Sequence, residues 1–487
     1  MQLVKAILHQ ARRSEPDPAV AFGGGIASFG TLARQTASVV EALQRLSLRR
    51  NDLVILDIRN PVHHLATIYA LALLGIRSAS VSTAFHAQVA GPAPVLMLTD
   101  RTDLTPEVRC LVVDASWYAF DPSAPPPYSA LLALPGFEHP DDIFRLVYSS
   151  GTTGRPKCVA LTVRSMEARI AHLMLSLNRR SSTGAEINLM GFSTTLGIMA
   201  PFFTHTVGAL LCFPASPTET LDMMRLFNVG SINGAVFQID GLLRALGPNP
   251  PPAGLRSVGI AAAKVPPALL QQVRARLCSH VISAYGSTEL GALSFGTADD
   301  LERGDGATGH LLPWVEMEAV DEAGQPLQRG QNGVLRARTA ELAFYIDASG
   351  AASDMPDDGW FYPGDYGRIE PDGMVVIIGR TGEIINRGGV VIAPDYVEET
   401  LLQFPGVVDA AAFGVMQDNG FDDIWAAVVA GDAVDMAQLH RFMHDRLHER
   451  APGRVYRVTD LPRAESGKVM RNTLRDQILR QVGAGSL

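Results

Sequence analysis

From residue 149 to residue 157 the chain reads Ser-Ser-Gly-Thr-Thr-Gly-Arg-Pro-Lys, straight after the apolar run Phe144-Arg145-Leu146-Val147-Tyr148. Gly151 and Gly154 let backbone amides approach an oxyanion closely. The hydroxyls of Ser149, Ser150, Thr152 and Thr153 add neutral donors, and Lys157 adds a point charge. Such a loop suits a polyphosphate, although the same residues also describe an ordinary surface loop. It is not a Walker loop, because Arg155-Pro156 separates Gly154 from Lys157 and no Ser or Thr follows the lysine. Four further segments carry usable polar groups: "AYGSTELG" (284–291), "GWFYPGDYG" (359–367), "GRTGEIINRGG" (379–389) and "PRAESGKVMR" (462–471). By residue type, Glu289 is a hard-cation ligand or a helix N-terminal acid. Asp365 is a hydrogen-bond acceptor for a ligand or a turn residue after Gly364. Arg380 is a cation beside such a ligand or half of a surface ion pair. Tyr285 is a stacking face or plain core, and Lys468 would ordinarily be solvated.

In this order and spelling, the five segments resemble the adenylate-forming superfamily of acyl-CoA synthetases, peptide-synthetase adenylation domains and luciferases, over nearly the whole chain. The resemblance implies that Ser149, Ser150, Gly151, Thr152, Thr153, Gly154 and Lys157 hold ATP, with Thr152 and Thr153 at the β- and γ-phosphates. Tyr285, Gly286, Ser287, Thr288, Asp365 and Arg380 complete the nucleotide site, and Glu289 holds Mg²⁺. Thr153, Glu289 and Lys468 are the implied catalytic residues. Lys468 swings in to bridge the substrate carboxylate and the α-phosphate. The carboxylate attacks that phosphate itself, so catalysis rests on positioning and charge. A rotation of the small domain then brings Asn386-Arg387-Gly388-Gly389 to the path of a phosphopantetheine thiol, from coenzyme A or a holo-carrier protein supplied in trans.

Several positions depart from the family pattern. Cys158 replaces the usual glycine after the loop lysine and reads as a small packing residue. Gly382 replaces the usual Asp or Lys of the hinge, keeping backbone freedom but losing side-chain control of the two poses. In "GFSTTLGIM" (191–199) Ser193 follows Phe192 where amino-acid-activating domains carry an aspartate, which disfavours an α-amino acid because its ammonium would be buried unpaired. Ala261 and Ala262 stand in place of glycines and narrow the pocket of Phe192, Ser193 and Gly286, favouring a compact acid, aromatic ones included. Lys264 replaces a proline; it pairs a second anionic or hydroxyl group of the substrate, or lies on the surface.

The elements that must position these residues are legible in outline. A chain of 487 residues exceeds one core. Apolar runs such as "LVILDI" (53–58) and two buried strands, "VLMLTD" (95–100) and "CLVVDA" (110–115), alternate with helical patterns such as "HLATIYALALLG" (64–75). The expected fold is α/β: a large N-terminal domain of parallel and mixed sheets covered by helices, with a β-rich subdomain from about residue 305, and a small mobile α+β C-terminal domain. The boundaries expected are 1–379, a hinge at 380–383, and 384–487. A net charge of −9 gives no reason to expect nucleic acid. The four scattered cysteines suit a reducing compartment, and the most apolar window (195–215) reads as a buried helix and strand, so a cytoplasmic protein without membrane insertion is expected.

The residues therefore point to a ligase that activates a carboxylic acid with ATP and Mg²⁺ and passes it to a thiol. The chain length leans towards a carrier protein over coenzyme A as acceptor. The alternatives are a phosphate-hydrolysing NTPase, a non-catalytic nucleotide- or acyl-binding regulator on the same fold, an amino-acid-activating protein, and a luciferase-like oxygenase.

Overall fold

The computed structural model describes residues 2–81, 91–102, 108–149, 157–177, 184–353, 358–387, 390–417, 421–463 and 469–483. Two large sheets dominate. In the first, strands Pro18–Phe22, Leu211–Phe213, Ala185–Asn188, Val229–Ala235, Ser257–Ala261 and Val281–Ser287 lie side by side in parallel. From Val281–Ser287 the sheet continues antiparallel through Gly291–Thr297, Ala307–Leu311, Met374–Arg380 and Asp365–Ile369. The β-rich stretch expected from residue 305 is thus continuous with the parallel strands, while keeping an apolar cluster of its own around Leu290, Leu293, Leu335 and Val375.

In the second sheet, Ile143–Ser149 runs parallel to Arg77–Ser80, which leads to Leu53–Asp57, Leu96–Thr99 and Cys110–Val112. On its other side Ile143–Ser149 pairs antiparallel with Lys157–Thr162, and that strand with Phe344–Ile346. Cys110–Val112 is an edge strand that is half-buried to exposed, not the buried strand its apolar letters predict, because among the described residues a strand flanks it on one side only.

Helix Pro61–Leu74 explains how the layers meet. Asn60 caps its first turn, Pro61 sits at the first helical position, and Gly75 ends it at φ 69°. Residues on every side of it are buried, as expected for a helix with apolar neighbours all round. It shares one core with helices Gln2–Arg13, Phe29–Gln44 and Thr195–Thr206. His205 is buried there, with its Nε2 3.0 Å from the Ala19 carbonyl and its Nδ1 2.9 Å from the Tyr69 hydroxyl. Among the described residues, no helix is long and apolar enough to cross a membrane.

Residues from Ile385 onwards build separate cores on a three-stranded sheet of Val407–Met416, Asp422–Ala430 and Arg454–Val458. Alternation along the first strand sends Ala410 and Ala412 towards helices Pro394–Leu401 and Met436–Leu447. Ala411, Phe413 and Val415 face helix Arg471–Gly483.

Candidate active site

The carboxyl ends of the parallel strands carry most of the segments singled out above. Gly191-Phe192-Ser193 follows Ala185–Asn188, Ala262 follows Ser257–Ala261, and Tyr285-Gly286-Ser287 ends Val281–Ser287. The 149–157 loop leaves the carboxyl end of Ile143–Ser149 in the other sheet. Ligands of open α/β sheets gather at such ends.

Asp365 opens its strand opposite Arg380 in the antiparallel register and is 5% exposed. One carboxylate oxygen accepts from the Tyr285 hydroxyl at 2.7 Å and the other lies 3.2 Å from Arg380 Nε. Arg380 also donates to the Pro363 carbonyl. Burial, then the negative charge of Asp365, pushes the Tyr285 phenol well above its ordinary value, so it stays a neutral donor. Three residues from separate segments thus form one cluster around the buried Asp365 carboxylate.

Four residues beyond Tyr285, Glu289 sits in the three-residue turn between Ser287 and Gly291 and is 7% exposed. The turn is held from inside: Leu290 N donates to Ser287 Oγ at 3.1 Å. Gly291 has φ 74°, and a Cβ there would lie 2.0 Å from Glu341 Oε2. Gly286 is equally constrained, since a Cβ would meet the Gly291 carbonyl at 2.0 Å. Glu289 Oε1 accepts from Tyr345 at 2.6 Å. The Glu289 carbonyl accepts from Arg169 Nη2 at 2.8 Å and from Ala343 N at 2.7 Å. Arg169 is fully buried and also donates to the Glu341 carbonyl at 2.9 Å, while the Glu341 carboxylate meets His172 Nδ1 at 2.5 Å. His172 stacks on Trp314 with centroids 4.0 Å apart. Burial raises the Glu341 pKa against the opposing pull of His172 and Arg169. Arg169, Glu341, His172 and Tyr345 carry no motif, and the sequence reading missed all four. An arginine and a histidine on one helix face would pass as solvated.

Lys157 is exposed, with Nζ 4.4 Å from the centroid of the Tyr345 ring. Cys158 beside it is buried among Leu146, Ala160 and Ile346, and burial pushes its thiol up to about 12, as befits a packing residue. Ser150, Gly151, Thr152, Thr153, Gly154 and Lys468 lie outside the described residues, as does the Gly388-Gly389 pair; Ser149 is described only as the last residue of its strand. The Thr288 backbone belongs to the Glu289 turn.

Around the acid segment, the Phe192 ring packs against His64 and Phe213, with centroids 4.5 and 5.2 Å apart. The Phe192 carbonyl accepts from the buried Arg145 at 3.2 Å. Ser193 is half-buried in the turn before helix Thr195–Thr206. Ala262 takes φ 72°, a left-handed conformation that glycine would occupy without strain. Lys264 is an engaged cation: it pairs with Asp305 and, at 2.8 Å, with Glu399 of helix Pro394–Leu401. Among the described residues this is the ion pair that joins the large domain to the small one. At the proposed hinge, a Cβ on Gly382 would meet nothing within 4 Å.

The donor set fits an adenine nucleotide with a divalent ion. Asp365 is a buried, oriented acceptor beside an aromatic ring, Glu289 supplies a hard oxygen ligand, and Lys157 supplies an exposed cation on the adjoining sheet. Residues 7–343 match the profile of the AMP-binding enzyme family, and residues 396–468 that of the AMP-binding enzyme C-terminal domain. The chain is 25% identical to 4-coumarate–CoA ligase-like 9 of Oryza sativa subsp. japonica, over 95% of this chain and 89% of that protein. It is 30% identical to the sulfoacetate–CoA ligase of Cupriavidus necator, over 72% of this chain and 70% of that protein. The structure of o-succinylbenzoate CoA synthetase from Bacillus subtilis, in complex with its acyl-adenylate intermediate, matches with a TM-score of 0.84 at 21% identity. That match covers 97% of this chain and 98% of the other, a likeness of fold.

Proposed function

Because the chain belongs to the AMP-binding enzyme family, we propose that it is an AMP-forming acid–CoA ligase acting on a compact carboxylic acid. The observation that carries the reading is the convergence of Tyr285, Asp365, Arg380 and Glu289 around one hairpin, with Lys157 close by on the second sheet. Asp365 and Arg380 hold the ribose, Tyr285 offers its ring to adenine, and Glu289 holds Mg²⁺ against the phosphates. Bound Mg²⁺ supplies charge neutralisation at the transferring phosphoryl group. Lys157 and the 149–154 segment hold the phosphates, and Lys468 carries the charge of the adenylation step.

Two features support a compact acid. Ala261 and Ala262 put methyl groups at the carboxyl end of strand Ser257–Ala261, and the Phe192 ring packs against His64 and Phe213. The names of the relatives support coenzyme A as acceptor over a carrier protein.

The test is acid-dependent ATP–pyrophosphate exchange over a panel of aromatic, short aliphatic and amino acids, followed by thioester formation with coenzyme A or a holo-carrier protein. Exchange with a compact acid, abolished by Lys468→Ala, is expected. Exchange with no acid on the panel, or a Lys468→Ala variant that exchanges like the wild type, would refute the assignment.

A further inference from the structure

We propose that Tyr345 is a positioning residue of this site, its hydroxyl setting the Glu289 carboxylate and its ring setting the Lys157 ammonium. The proposal rests on the reading of Glu289 as the Mg²⁺ ligand and Lys157 as a phosphate contact.

The placement follows from the sheet. Tyr345 lies directly opposite Val159 in the antiparallel pairing of Phe344–Ile346 with Lys157–Thr162. Side chains alternate along a strand, so Val159 and Lys157 share a face and Tyr345 is the diagonal neighbour of Lys157. That geometry delivers Nζ to the ring at 4.4 Å. The hydroxyl at the far end of the same ring reaches Glu289 Oε1 at 2.6 Å. The backbone reinforces the link, because Ala343, two residues before Tyr345, donates to the Glu289 carbonyl, and Arg169 ties that carbonyl to the Glu341 carbonyl. One short segment therefore connects the turn of the first sheet to the phosphate-loop strand of the second.

The choice of tyrosine has a chemical reason. A carboxylate and an ammonium converging on one ligand can neutralise each other by pairing. A phenol gives the carboxylate a neutral donor, and its ring face attracts the ammonium without carrying a charge. Both residues are oriented while their full charges stay available to metal and phosphate.

The test uses the full chain: calorimetry of ATP binding at a series of Mg²⁺ concentrations reads the metal dependence of binding directly, and acid-dependent exchange is measured against Mg²⁺ at fixed ATP and against MgATP at saturating Mg²⁺. Tyr345→Phe keeps the ring and loses the hydroxyl. It is expected to raise the Mg²⁺ concentration for half-maximal rate about tenfold and to leave the KM for MgATP within about twofold. Tyr345→Leu loses both contacts and is expected to raise that KM about threefold in addition. Glu289→Gln and Lys157→Met serve as references, and thermal melts show that each variant is folded. If Tyr345→Phe leaves the Mg²⁺ response unchanged while Glu289→Gln shifts it, the role of Tyr345 is overturned and the metal assignment stands. If Phe and Leu variants behave alike, the contact with Lys157 has no function. If Glu289→Gln also leaves the Mg²⁺ response unchanged, the metal assignment fails first and this proposal with it.

Discussion

Replacing Lys264 by methionine probes whether the ion pair between domains governs the proposed rotation. Lys264 is 29% exposed, Glu399 33% and Asp305 59%, so the cluster is neither buried nor fully solvated. Burial lowers the lysine pKa, but hydrogen bonds and charges from Asp305 and Glu399 more than offset this and raise it above its ordinary value. The ammonium is therefore charged at neutral pH. A unit pair at the observed 2.8 Å interacts by about 1.5 kcal/mol at the dielectric of water and about 6 kcal/mol at an effective dielectric of 20. Desolvation, side-chain entropy and screening reduce a half-exposed pair to about 1 kcal/mol. That is about a fivefold change in the balance between the two domain poses. The assay separates the half-reactions: ATP–pyrophosphate exchange reports adenylation, and single-turnover reaction of preformed acyl-adenylate with coenzyme A reports thiolation. Lys264→Met should slow one and speed the other, with their ratio moving about fivefold, and the salt dependence of that ratio should shrink. Two rates that move in the same direction, or an unaltered salt dependence, would show that this ion pair does not set the balance between poses.

Asp365→Asn keeps the shape but removes the charge proposed to accept from the ribose; ATP affinity measured by calorimetry should fall about 10- to 100-fold, and unchanged affinity removes Asp365 from the nucleotide site. Ala262→Gly relieves the left-handed φ of 72° and should stabilise the large domain by about 1 kcal/mol in urea denaturation; no gain would mean the backbone there bears no strain. His205 is held neutral by burial, which outweighs its hydrogen bond to Ala19 and lowers its pKa from 6.5 to about 4. A depressed folded pKa contributes stability above pH 6.5 that is lost as pH falls towards 4, at up to about 1.4 kcal/mol per pH unit. Urea midpoints between pH 7 and pH 5 should show that slope, and it should be shallower in His205→Gln.

Most local signals in the sequence matched local structure, the half-exposed strand Cys110–Val112 being the exception. The apolar stretch at 64–75 is a helix, with Gly75 ending it in the left-handed conformation, and 53–58 holds a core strand. Tyr285, Asp365 and Arg380 could be named in advance because each sits in a short motif whose spelling survives without its partners. That they touch through specific atoms could not be read, since the contacts span 80 residues in one case and run across a strand pair in the other. Tyr345, Arg169 and Glu341 escaped notice for the same reason. Their roles exist only once a helix, a turn and an edge segment are packed together, and Arg169 reaches Glu341 over a separation of 172 residues. Lys264 was legible as unusual, but its partner Glu399 lies in the other domain, where no periodicity connects the two.

Arg471, three residues beyond Lys468, extends its guanidinium to Glu383 at 2.5 Å, to Asp395 at 2.8 Å and to Glu398 at 2.9 Å. Those carboxylates belong to the chain just past Gly382 and to helix Pro394–Leu401, so one side chain rivets the exit of the proposed pivot to the start of helix Arg471–Gly483. Any turn of the backbone at Gly382 would then carry helices Pro394–Leu401 and Arg471–Gly483 together as one lever, with no give between them.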